Sequence, residues 1–185
     1  MALPSVRLEY RLTLSHVDRG LELEQGLIVA RHPSETAEHV TLRVLAWCLL
    51  REERLEMGPG LSDPDVADLW TRDLTGRLTT WVECGSVDPE RLRKILLHNS
   101  GAAVHVVLGS ERRRDELLEA LAEWKKPPRA ALTVWTVDAA LLAGLAAREE
   151  RRQVWTVTVV GGHIYVDAGG VNIDGPVDER KPLER

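Results

Sequence analysis

Apolar and polar residues alternate along Val6-Arg7-Leu8-Glu9-Tyr10-Arg11-Leu12-Thr13-Leu14, which predicts a half-buried strand. A second run reaching Ala30 after Asp18-Arg19-Gly20 completes a predicted N-terminal hairpin. The period then changes. Ser34, after Pro33, has the chemistry of a helix N-cap, with Glu35 and Glu38 in the first turns, where acids suit the helix dipole. From there to about Arg51 apolar residues occur on nearly every side of a wheel, so this helix is expected to lie inside the fold.

The segment from Asp68 to Glu83 predicts a hairpin, and its register carries the candidate chemistry. A two-residue turn at Thr75-Gly76 sets Asp68 opposite Glu83 and Trp70 opposite Trp81, all four on one face, with Leu69, Thr71, Leu78, Thr80 and Val82 on the other. A three- to five-residue loop through Asp73 to Arg77 is the competing connection and shifts the pairing. Like charges across a ladder, with Cβ atoms about 5 Å apart, are destabilising. The two acids are therefore expected to hold a cation, to share a proton or to splay into water.

Downstream, Asp88 as N-cap and Pro89 at the first helical position start a second helix with a Leu92, Ile95 and Leu96 stripe. Val104–Leu108 predicts a central strand, Glu111–Lys126 a helix ended by Pro127-Pro128, Leu132–Val137 a strand, and Asp138–Arg152 a fourth helix. Val154–Val160 and Ile164–Asp167 flank Gly161-Gly162 as a C-terminal hairpin. One domain over residues 1–170 is expected, with 171–185 as a flexible, charged tail.

Composition narrows the function classes. The 185 residues are 44% hydrophobic, enough for a sizeable core, and the net charge of −5 argues against a protein that coats nucleic acid through bulk electrostatics. The basic runs, such as Arg112-Arg113-Arg114, are flanked by acids and read as solvated helix faces. Cys48 and Cys84 lack metal-ligand or CxxC spacing and read as reduced core thiols. No stretch is long and apolar enough to span a bilayer, and the first residues lack signal-peptide regions, so a cytoplasmic location and no membrane partner are expected. No phosphate-binding loop, dinucleotide fingerprint, zinc signature or nucleophile elbow occurs.

Paired carboxylates point to Mg²⁺ or Mn²⁺ chemistry on a phosphodiester. Such a hard cation takes one or two carboxylates, waters and phosphate oxygens, and here the Cys84 carbonyl and either Glu35 or Glu38 could add ligands. Arg31 is a candidate for substrate phosphate. His32 reads chiefly as a loop histidine, Trp70 and Trp81 as core, and His105 as a structural histidine in an apolar strand.

Several runs, taken in order, resemble the YaeQ family of bacterial proteins. They are Ala30-Arg31-His32-Pro33-Ser34-Glu35-Thr36, Glu52-Glu53-Arg54-Leu55-Glu56, Gly60-Leu61-Ser62, Asp68-Leu69-Trp70, Asp73-Leu74-Thr75-Gly76, Trp81-Val82-Glu83-Cys84-Gly85 and Arg91-Leu92-Arg93-Lys94. The resemblance implies an α/β fold with a mixed sheet, a compact restriction-endonuclease-like (PD-(D/E)XK) αβββαβ core, here edged by N- and C-terminal β-hairpins. It also implies Asp68 and Glu83 as the motif acids and catalytic metal ligands.

The sequence departs from that pattern in three places. Ala67 stands where the family usually has proline, Gly85 where an active nuclease carries its lysine, and Ser86 in place of a frequent glutamine. Lys94, the only lysine before Lys125, or Arg93 beside it, is then the candidate for the phosphate-facing cation; on a wheel Lys94 points away from the core stripe. Two functions follow as expectations: a metal-dependent nuclease acting on DNA or RNA, or a non-catalytic module on the same fold that binds a protein or a nucleic acid.

Overall fold

The computed structural model describes residues 5–59 and 66–183. The Gly60-Leu61-Ser62 run lies outside the described residues. The fold is a mixed α/β structure of one ten-stranded, curled sheet and four helices among the described residues. Alternation in the first strands holds as expected. β1 (Val6–His16) and β2 (Leu21–Arg31) pair antiparallel across a short 3-10 turn, and Leu8, Tyr10, Leu12 and Leu14 all point inward.

α1 (Ala37–Leu49) is buried along almost its whole length inside the concavity of the sheet, as its all-round apolar pattern predicts. Its N-cap is Thr36 and not Ser34: the Thr36 hydroxyl accepts from the His39 amide at 3.1 Å. The helix feeds β3 (Glu56–Met57), β4 (Leu69–Arg72), β5 (Leu78–Cys84), α2 (Pro89–His98) and β6 (Ala103–Leu108). Asp88 caps α2 as expected, accepting from the Arg91 amide at 2.9 Å. α3 (Glu111–Ala122) stops short of the expected Lys126, ahead of the Pro127-Pro128 pair that disfavours helical backbone before it. After β7 (Leu132–Val137), α4 (Ala139–Ala146) is also shorter than expected, because β8 (Arg152–Val160) already begins at Arg152. β9 (His163–Ala168) returns across Gly161-Gly162, both at positive φ.

Two expectations are corrected by the last strand. The segment after Gly170, expected to be a flexible tail, forms β10 (Asn172–Arg180), whose first half pairs with β9 and second half with β7. The strand order is β2-β1-β8-β9-β10-β7-β6-β5-β4-β3, so the C-terminal hairpin is interior and the edges are β2 and β3. Gly175 is required where it stands, since a Cβ there would lie 2.7 Å from the Cβ of Asp138. Two apolar cores result: one around α1 on the concave side, and one where α2 and α3 cover β6 and β7 with Leu92, Leu96, Leu117 and Leu121. No helix among the described residues is long and apolar enough to cross a membrane.

Candidate functional site

Trp70 pairs with Trp81 and Leu69 with Val82, as the predicted hairpin requires, although the connection is the longer one. Asp73 accepts from the amides of Thr75 and Arg77 and closes a five-residue loop, and a register shift between Thr71 and Arg72 absorbs the extra length. At the other end the ladder gives out. The Asp68 amide donates to the Val82 carbonyl at 3.0 Å, and the Asp68 carboxylate accepts from the Cys84 amide at 2.7 Å.

The two acids consequently do not face each other. Asp68 turns to α1, with its Oδ1 3.5 Å from Arg43 Nε and 3.8 Å from His39 Nε2. Glu83 turns to α2, where Arg91 grips it with two nitrogens at 2.7 and 3.1 Å and the Trp81 indole N–H adds a bond at 2.7 Å. Burial raises the Glu83 pKa, and the Arg91 contact only partly offsets it.

Glu35 does join Asp68, through two basic residues that the sequence pattern did not single out. Glu35, His39 and Arg43 recur every four residues, so all three line one side of α1 and its lead-in. Arg43 is fully buried, and its Nη1 donates to Glu35 Oε1 at 3.1 Å and to the Ala30 carbonyl at 3.2 Å. Its Nη2 donates to the Gly58 carbonyl. His39 Nδ1 meets Glu35 Oε1 at 2.6 Å and Nε2 meets the Cys84 carbonyl at 3.0 Å. Carbonyl and carboxylate oxygens only accept, so both ring nitrogens donate and the ring is an imidazolium.

The electrostatics agree with a charged ring. Burial lowers the pKa of His39, but the Glu35 bond and the Asp68 charge outweigh it and the net shift is upward. Burial also opposes the Glu35 carboxylate, yet His39 and Arg43 hold its pKa below the ordinary value. Asp68 moves the other way: burial raises its pKa further than His39, the Cys84 amide and Arg43 lower it. The signal for this cluster was in the sequence, as charges four residues apart inside an otherwise apolar helix.

A divalent cation does not fit this arrangement. Two carboxylates face one guanidinium and one imidazolium, so the cluster is neutral, and the space between Glu35 and Asp68 is taken by Arg43. The Cys84 carbonyl is occupied by His39, and among the described residues no group of three or more His, Cys, Asp or Glu side chains is placed to hold a metal ion. The other predicted residues lie outside this cluster, although Glu38 lines the neighbouring cavity over Cys84 and Gly85. Glu38 is exposed on α1; Lys94 is exposed on α2; Arg93 reaches the Trp124 ring, 5.8 Å from its centroid, and the Lys126 carbonyl. Arg31 is paired with Glu149 and donates to the Glu35 carbonyl at 3.0 Å. His32 bonds locally to Ser34, and the two cysteines are free and buried, with burial pushing the Cys48 thiol up to about 12.

Above Cys84 and Gly85 lies a cavity of about 570 Å³ at the C-terminal ends of β5 and β6. His39 forms its floor and Arg112 and Arg113, in the first turn of α3, stand at its side with Ser110. Gly85 has φ +81°, so a lysine at this position would be strained in its backbone, although a Cβ would only make ordinary contact with the His39 ring at 3.4 Å.

Comparison with known proteins fits the same fold. The YaeQ from Salmonella typhi is 30% identical over 174 residues, and that of Escherichia coli (strain K12) 29%, each match covering 94% of both chains. Crystal structures of YaeQ proteins from Xanthomonas axonopodis pv. citri and Pseudomonas syringae superpose with TM-scores of 0.81 and 0.84 at 30% and 27% identity. These matches cover 96% of this chain and 98% and 97% of theirs. The model of the YaeQ protein family matches residues 1–175, and the chain belongs to the YaeQ family.

Proposed function

We propose that this chain is a non-catalytic binding module on a PD-(D/E)XK nuclease-type core, taking a phosphate-bearing nucleic acid in the cavity over Cys84 and Gly85. The order α1-β3-β4-β5-α2-β6 follows the αβββαβ pattern and supports the nuclease-type core. The observation that carries the binding reading is the neutral Glu35–His39–Arg43–Asp68 cluster: its own guanidinium and imidazolium fill the role that a metal ion has in a cleaving enzyme. Ligands of open α/β sheets sit beyond the carboxyl ends of parallel strands, where this cavity lies, and Arg112 and Arg113 supply charge that phosphate recognises. Fluorescence anisotropy with DNA and RNA oligonucleotides tests the reading. Binding that weakens steeply between about 50 and 200 mM salt, and by about tenfold in an Arg112→Ala/Arg113→Ala variant, is expected. Binding indifferent to both arginines would overturn it.

The competing proposal is a Mg²⁺- or Mn²⁺-dependent phosphodiesterase, favoured by the convergence of Glu35 and Asp68 on one cluster. It requires Arg43 to withdraw and Glu83 to leave Arg91. A rise in melting temperature with millimolar Mn²⁺ that Asp68→Asn abolishes, together with cleavage of DNA or RNA that Lys94→Ala or Arg93→Ala removes, would establish it in place of the binding reading.

A further inference from the structure

Exposed sheet edges are normally blunted by short length, proline, a bulge or an inward-pointing charge. β3, one edge of this sheet, is only two residues long. β2, the other, runs for 11 residues in unbroken register with β1, contains no proline and turns no charge inward between Leu21 and Val29. Its acids there, Glu22 and Glu24, lie on the outer face near one end. None of its residues lines the cavity over Cys84, so it is independent of the function proposed for that site.

The hydrogen bonds show which peptide groups of β2 are open. The Glu9 amide donates to the Arg151 carbonyl at 2.8 Å, so Glu9 and every second residue of β1 face β8. Leu8, Tyr10, Leu12 and Leu14 therefore face β2, where Val29, Leu27, Gln25 and Leu23 are their partners. The alternate residues Glu22, Glu24, Gly26 and Ile28 consequently aim N–H and C=O away from β1. Ala30 does so too, and its carbonyl accepts from Arg43 at 3.2 Å, which closes that end of the edge. Among the described residues no strand pairs with the rest. Gly26 stands at its middle, with its carbonyl accepting from the exposed Gln25 side chain at 3.0 Å. Nothing beyond its chain neighbours comes within 4 Å of the place a Cβ would take, and its φ is not positive, so the fold itself does not require glycine here. Glycine inside a strand weakens it, and often marks a place where another backbone approaches closely.

We propose that two copies of this chain pair β2 to β2, antiparallel about a two-fold axis at Gly26, so that one sheet runs through both. The strand is its own complement in that register. Gly26 meets Gly26 on the axis, where two identical side chains would have to share one place, Glu24 falls opposite Ile28, which is 56% exposed, and Glu22 opposite Ala30, so no two acids face each other. On the inner face the half-buried Leu23, which packs on the core from the edge, gains Val29 as a cross-strand neighbour.

Sedimentation velocity of the full chain over about 1–300 µM tests this, because a single strand-to-strand contact lies at the small, weak end of interface sizes. The 20.7 kDa monomer is expected to give way to a species of twice that mass as concentration rises. Gly26→Pro takes away an outward N–H and no bond to β1, and is expected to weaken the dimer by about tenfold or more. Ile28→Glu sets like charges opposite Glu24 of the other copy and Ile28→Lys opposite ones, so the lysine variant should dimerise about tenfold more tightly than the glutamate variant. Damage to the monomer would not follow the sign of the charge, so this pair decides the matter even if the proline variant folds poorly. A wild-type chain that stays monomeric throughout would overturn the proposal and leave the edge to a strand of another protein. Dimerisation indifferent to the charge at position 28 would overturn it as well.

Discussion

His39 reaches the peptide carbonyl of Cys84 with its Nε2 at 3.0 Å, tying the most buried helix of the molecule to the end of β5. The other ring nitrogen is committed to Glu35, so the two bonds are donated together only while the ring is charged.

Stability should therefore depend on pH through His39. Its folded pKa lies above the ordinary 6.5, so its contribution is fully present below about pH 6.5 and is lost as pH rises through the folded value. Glu35 has a lowered pKa, so its contribution is present above about 4.5 and is lost as pH falls through its folded value. Chemical denaturation of wild type and His39→Gln across this range should show a gap between them that narrows toward alkaline pH. A gap that stays constant would mean that the ring is not charged.

Removing Arg43 should be among the most damaging single changes in the chain. Arg43→Met leaves Glu35 and Asp68 buried without their guanidinium, which typically costs about 3–5 kcal/mol. Adding Glu35→Gln to that variant should return part of the loss, because the two sites are in direct contact and their effects do not add. Urea titrations of the two single variants and the double variant measure the coupling.

How far the sequence leads differs from element to element. The Trp70–Trp81 pairing was legible because alternation fixes which residues share a face, and a bulge preserved it in spite of the longer loop. The facing of Asp68 and Glu83 was not, since alternation holds only while the ladder lasts and Asp68 lies one residue beyond it. The partners of these acids, Arg43 and Arg91, come from helices whose placement no local pattern encodes. β10 escaped for another reason: its charged residues read as a flexible tail, yet Gly175 is held against Asp138 and Pro176 marks the point where the strand leaves β9 for β7.

Gly58 offers a test of how tightly the site is framed. Its amide donates to the Asp68 carbonyl at 2.7 Å, its carbonyl receives Arg43, and a Cβ would fall 2.2 Å from the Ala67 carbonyl oxygen. Backbone cannot yield as a flexible side-chain end can, so Gly58→Ala should destabilise by about 1–3 kcal/mol. Gly101→Ala, which meets only the end of the Arg77 side chain, should cost much less, and melting curves of the two variants compare them directly.

The position of β10 bears on how the chain is made. The last of these ten strands to leave the ribosome fills the fifth place in the sheet and joins β2-β1-β8-β9 to β7-β6-β5-β4-β3. Until it arrives, β9 and β7 each present an unpaired edge, the kind of template on which nascent chains aggregate. β1 must also wait for β8, a partner 143 residues away at the Glu9–Arg152 pair, and such distant pairings make folding slow. The period of vulnerability thus lasts until residues 172–180 have emerged, and holding factors that shield sheet edges have most to do for this protein just before that moment.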